Sequence, residues 1–157
     1  STAKDGDYQN IKTINSVGTS SWTDGSVKTG KTYYYKIKTV VKTQNGEQTS
    51  GFSNVKSAKA VPAKTTLKAK ASDAKNVKLT WSKVKGASGY EIYRSNSKDG
   101  KCSKVKTISK GSTTSYKNGK LKKSTTYYYK IRAYRKVNGK KVYGSYSSVV
   151  SVKTKAK

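Results

Sequence analysis

The sequence predicts an all-β protein built as β-sandwich units in tandem. Apolar and polar residues alternate with period two along several short segments, and no stretch of about ten residues carries a helical stripe. A long part of the chain also recurs at an offset of 94 residues. Thr32-Tyr33-Tyr34-Tyr35-Lys36-Ile37 returns as Thr126-Tyr127-Tyr128-Tyr129-Lys130-Ile131, Lys4-Asp5-Gly6 as Lys98-Asp99-Gly100, Lys12-Thr13-Ile14 as Lys106-Thr107-Ile108, and Val55 as Val149. Asn45-Gly46 meets Asn138-Gly139 at an offset of 93, which reads as one surface turn shifted by a residue. A period this long is a whole domain rather than a solenoid repeat.

The phase of the repeat sets the domain boundaries. Residues 61–157 contain one complete unit, whereas residues 1–60 match only its later part. The first sandwich is therefore expected to be truncated at its N-terminal side. An upstream part of the same polypeptide or another chain would have to complete it. Between the units, Ala58–Lys64 holds Pro62, the single proline, and forms a short, locally stiff linker. The chain holds no Met, so it is expected to begin after processing or inside a longer polypeptide.

Along the complete unit the elements follow from alternation and turn chemistry. Val77–Trp81 alternates as a strand, and Tyr90–Arg94 places Tyr90 and Ile92 on one face with Glu91 and Tyr93 on the other. Tyr127, Tyr129, Ile131 and Ala133 line one face of a long strand, with Tyr128, Lys130 and Arg132 opposite. Asn138-Gly139 favours a type I′ hairpin turn, pairing Tyr127–Lys136 with Lys141–Lys153. Gly86-Ala87-Ser88-Gly89, Asp99-Gly100 and Asn118-Gly119 punctuate the remainder, giving about seven short strands.

Composition narrows function by exclusion. Hydrophobic residues make up 32% of the chain, and the 13 glycines bring the apolar share to about 40%, below an average globular protein. Thirteen Tyr at recurring positions nevertheless supply a core. With no His and one Cys, there is no histidine-based catalytic pair, no zinc site and no intrachain disulfide. Seven acids leave little for two-carboxylate glycoside chemistry. The residues thus argue against an enzyme and imply no cofactor or metal. No apolar run reaches a membrane-spanning length.

Trp81, the Tyr90-Glu91-Ile92-Tyr93-Arg94-Ser95 strand, Leu121 six residues before Tyr127, and the closing Tyr146-Ser147-Ser148-Val149 together resemble a fibronectin type III domain, an immunoglobulin-like β-sandwich. The Lys- and Tyr-rich wording is similar to repeats of this type in secreted and wall-associated proteins of Gram-positive bacteria. The resemblance covers the chain once completely and once from the fourth strand onward. It implies a noncatalytic spacer or presentation module in an extracellular, secreted or cell-wall-associated protein. The alternative is an accessory module binding polysaccharide or anionic wall polymer for a neighbouring catalytic domain. It also implies that Leu121 and Tyr127 are the core leucine and the tyrosine-corner residue, with Val27 and Tyr33 as counterparts. The usual proline near the corner is replaced by Lys123 and Thr29, and no Arg-Gly-Asp occurs.

The candidate core comprises Trp81, Tyr90, Ile92, Leu121 and Tyr127, with Tyr33 and Trp22 in the first unit. The candidate ligand face comprises Tyr93, Tyr128, Arg132 and Tyr134, expected to point outward with Lys130 and Tyr143; it reads either as a sugar-stacking platform or as cross-strand packing of rings on cationic stems. Lys and Arg number 35, giving a formal charge of +28, but Arg occurs only at 94, 132 and 135. Lysines spread over every region predict weak attraction to anionic wall polymers or polysaccharide and no specific reading of nucleic acid. Alternation places Glu91 outward, with a surface ion pair to Lys130 or Arg132 worth about 0–1 kcal/mol. Asp5-Gly6-Asp7 reads as a turn, and Cys102, aligned with Tyr8, as a small, partly buried hydrophobe.

Overall fold

The computed structural model describes residues 1–157. All regular structure is β, and the chain falls into two compact units, Ser1–Ala60 and Val61–Lys157.

The second unit is a two-layer sandwich. One layer is the antiparallel sheet β5 (Leu67–Ala71), β6 (Val77–Trp81) and β9 (Ser115–Asn118). The other is ordered β11 (Lys140–Tyr143), β10 (Thr126–Val137), β7 (Gly89–Ser95) and β8 (Ser103–Ile108). The last strand, β12 (Val150–Lys153), runs along the first half of β10, so β11 and β12 together form one interrupted edge. Inward residues of both layers interdigitate: Val77, Leu79 and Trp81 from β6 meet Tyr90 and Ile92 from β7 and Tyr127, Tyr129 and Ile131 from β10. Leu121 closes one end of this core. Asn138 and Gly139 both take positive φ, 48° and 76°, as a type I′ turn requires.

The first unit consists of β1 (Thr32–Tyr35) paired with β4 (Lys56–Lys59), and β2 (Val40–Thr43) paired with β3 (Gly46–Thr49). These strands stand 94 residues before the matching parts of β10, β12, β10 and β11. The correspondence extends to single hydrogen bonds. Lys28 N–H donates to Tyr33 Oη at 2.9 Å, as Lys122 N–H does to Tyr127 Oη at 2.9 Å. Tyr35 donates to Asp24 at 3.0 Å, as Tyr129 does to Asn118 at 2.9 Å. Ile37 N–H donates to Ser53 Oγ and Ile131 N–H to Ser147 Oγ, both at 3.1 Å. Ser1 exchanges two 2.9 Å backbone bonds with Tyr34, occupying the register position that Ser95 holds opposite Tyr128.

The expected one-residue slip between the two hairpins does not occur. Gln44-Asn45 and Asn138-Gly139 occupy equivalent loop positions, because strand pairing fixes the register and the turn sequence adapts to it. Gly46 instead closes the first turn at a φ of +108°, a conformation that L side chains rarely adopt.

Burial separates the units. No residue of the first unit is buried. Trp22, expected in a core, is 45% exposed, and Ile37 is 74% exposed where its counterpart Ile131 is fully buried. The segment around Trp22 aligns with β9, but β9 pairs with β6, and the first unit has no strand in that place.

Candidate functional site

The outer face of the β11–β10–β7–β8 sheet concentrates most of the aromatic and cationic side chains singled out in the sequence. Its organising residue is Glu91. Alternation does turn Glu91 away from the sandwich core, but the carboxylate is only 1% exposed rather than at the surface. Arg132, directly opposite on β10, donates to Oε2 at 2.9 Å, and Lys141 from β11 donates to Oε1 at 3.0 Å. Lys104 from β8 approaches Oε1 at 3.5 Å. Tyr93 and Tyr143 add hydroxyl donors at 2.7 and 3.2 Å. Lys130 takes no part; its ammonium lies 4.5 Å from the Tyr146 ring centre.

A carboxylate withdrawn from water needs several donors, and here five side chains from four strands converge on it. Burial pushes its pKa up, but the bonds from Tyr93, Arg132 and Lys141 outweigh that and hold it at about 2. Burial, with the neighbouring Tyr146 and Glu91, pushes the Tyr93 phenol well above its ordinary value. The Arg132 guanidinium lies 3.7 Å from the Tyr143 ring centre and also faces Tyr93 and Tyr146. Tyr93 and Tyr146 meet edge to face at 5.2 Å.

Around Glu91 the rings pack against one another and against cations. Tyr93 and Arg132 belong to the Glu91 cluster. Tyr134, expected to project outward, is 1% exposed. It sits opposite Gly89, and a Cβ there would come within 2.6 Å of its hydroxyl, so the end of the ring takes the space the glycine leaves. The Lys141 ammonium lies 4.5 Å from the Tyr134 ring centre. Tyr128 stands apart, beside a shallow depression formed with Lys98, Asp99, Val149 and Ser151.

Trp81, Tyr90, Ile92, Leu121 and Tyr127 are buried, and Tyr33 is half-buried. Sequence reasoning missed Lys104, Lys141 and Tyr143 as partners of Glu91. The turn at Asn138-Gly139 held the signal for two of them, because its register sets Tyr143 opposite Tyr134 and Lys141 opposite Lys136, on the same face of β10 as Arg132. Cys102 is half-buried and unpaired. The Asp5-Gly6 segment forms a turn in which Gly6 N–H meets Ala3 O at 3.4 Å, as Gly100 N–H meets Ser97 O at 3.3 Å. No group of three potential metal-ligating side chains is brought together, and no helix is long and apolar enough to cross a membrane.

No family model matches the sequence, and no curated protein does. Solved structures do match. The chicken CNTN1 FN1–FN3 domains superpose with a TM-score of 0.53 at 22% identity over 85% of this chain, which spans 46% of that one. The sixth fibronectin type III domain of human fibronectin type III domain containing protein 3 matches with a TM-score of 0.52 at 18% identity, over 64% of this chain and 92% of its own. A Fn3-like protein from Clostridium thermocellum shares 28% identity over 60% of this chain and 92% of its own, with a TM-score of 0.49. The chain therefore has the immunoglobulin-like β-sandwich fold of fibronectin type III domains.

Proposed function

We propose that the chain is a noncatalytic spacer or presentation segment of a larger secreted or cell-wall-associated bacterial protein. The observation that supports this best is the self-contained Glu91 face. A carbohydrate platform needs free ring faces, whereas here cations already cover the rings of Tyr134, Tyr143 and Tyr146. The side chains with the most chemical potential stabilise the sheet and leave nothing poised toward a substrate. The test is retention on insoluble, uncharged wall polysaccharide at 0.5 M salt. The spacer function predicts none; retention that Tyr128→Ala abolishes would favour an accessory binding module instead.

On the same proposal, residues 1–60 are the later strands of a second sandwich. Its apolar side, with Ile14, Trp22 and Ile37 exposed, is closed by a further segment of the polypeptide or by another chain. The hydrogen bonds repeated at the 94-residue offset support this assignment. Joining a copy of residues 65–94 ahead of Ser1 should bury Trp22, shift its fluorescence to the blue and add a cooperative unfolding transition. An unchanged Trp22 environment would refute the assignment.

A further inference from the structure

The opposite layer of the second unit carries the same kind of charge in a different arrangement. On the β5–β6–β9 sheet, Leu67, Ala69, Val77, Leu79, Trp81 and Tyr116 face the core, so Lys68, Lys70, Lys78, Thr80, Ser115 and Lys117 face outward by alternation. Strand register places Lys70 directly opposite Lys78, and Lys78 directly opposite Lys117. The backbone positions of three lysines thus form one row across the sheet, at the strand spacing of about 4.8 Å. All four lysines of the face are exposed.

No ion pair neutralises this row, although, alongside the bonds from Lys75 and Asn76, the charge of Lys117 helps to hold the Asp73 carboxyl below its ordinary value. All three ion pairs of the chain converge on Glu91 in the other layer. Asp73, in the loop that joins β5 to β6, makes no ion pair with the row; its carboxylate accepts from Lys75 N–H and Asn76 Nδ2 at 2.8 Å and keeps its negative charge at that end of the sheet, beside Lys117. Like charges directly opposite on neighbouring strands destabilise a sheet, so the row carries a standing repulsion that a bound anion would relieve. The three arginines lie elsewhere: Arg132 on Glu91, Arg94 over Tyr127, and Arg135 against Gly86. No aromatic side chain faces outward from these three strands.

We infer that this face docks a flexible, linear phosphate polyanion across the strands along Lys70, Lys78 and Lys117. Lysine engages phosphate as a mobile point charge and suits a chain whose charges adapt to the row. Base recognition would call for guanidinium forks, and single-stranded nucleic acid for stacking rings; both are absent from the face. The inference concerns a different layer from the Glu91 face and stands independently of the spacer function.

The test compares two triple variants of the full chain with equal net charge. Lys70→Gln/Lys78→Gln/Lys117→Gln removes the row, and Lys85→Gln/Lys101→Gln/Lys136→Gln removes three exposed lysines elsewhere in the unit. The probe is linear inorganic polyphosphate, titrated at several salt concentrations, with duplex DNA as comparison. The row variant should bind polyphosphate roughly tenfold more weakly. Its log–log salt slope should be shallower by about 2, while the control stays near wild type. Without ligand, the row variant should melt no lower than wild type and gain less stability from added salt. Equal losses in both variants would mean a diffuse field and overturn the inference, as would a preference for the duplex. Absence of binding by wild type would also overturn it, leaving the spacer function untouched.

Discussion

Ile131 and Ile37 hold the same place in the repeat, and their amides make the same bond to a serine hydroxyl, yet one side chain is fully buried and the other is 74% exposed. The two units teach that the hydrogen-bond pattern of a sandwich and its core are separable. In the first unit the backbone bonds, the bond to the Tyr33 hydroxyl and the hairpin are formed by β1–β4 and the Lys28 segment before β1. The core needs the opposing layer, which β5 and β6 supply in the second unit and which has no counterpart in the first.

The largest effect that would break this comparison is a pair of truncations. Ile131→Ala should destabilise the second unit by about 2–5 kcal/mol through lost transfer and cavity terms. Ile37→Ala should change stability by less than about 0.5 kcal/mol, as exposed substitutions do. Urea unfolding of the full chain reads both, and similar shifts would mean that the first unit has a core of its own.

Next comes the pH dependence of the second unit, for which the first has no equivalent buried acid. The Glu91 carboxyl sits at about 2 in the folded protein and near 4.3 unfolded, so its stabilisation is complete above the unfolded value and disappears as pH falls from about 5 to 2. The loss is on the order of 3 kcal/mol, and Glu91→Gln should flatten this acid limb in thermal melts. An acid limb of undiminished depth in that variant would remove Glu91 from the account.

The bonds to the Tyr127 and Tyr33 hydroxyls give the smallest contrast. Tyr127→Phe leaves the Lys122 N–H without its acceptor beside a buried ring and should cost about 1–3 kcal/mol. Tyr33→Phe removes the same bond where water can replace it, so the cost should fall below about 0.5 kcal/mol. Equal urea shifts would show that exposure does not govern the worth of this bond.

Much of this was legible in the sequence, and the reasons differ residue by residue. Alternation and the Asn138-Gly139 turn determine the strands and the hairpin because both are local. The buried residues Trp81 and Tyr127 follow from an apolar pattern that only one face can satisfy, whereas Leu121, outside any strand, follows only from the resemblance to a fibronectin type III domain. Glu91 and Tyr134 escaped because alternation tells which way a side chain points and not what lies over it. Glu91 is covered by Lys104 and Lys141 from strands 13 and 50 residues away, and Tyr134 is buried because its cross-strand neighbour is a glycine. Trp22 escaped for the opposite reason, since its apolar character calls for a layer that the first unit does not contain. The lysine row required the register of β5, β6 and β9, which no turn signal in the sequence specifies.

Amide hydrogen exchange on the intact chain puts the separation of bonding from burial to the most direct test. The Ile131 and Tyr129 amides should exchange only through global unfolding of the second unit, and those of Ile37 and Tyr35 faster by at least roughly a hundredfold, despite their matched positions. Equal protection at the paired positions would contradict the claim that the first unit has the bonds of the fold without its core.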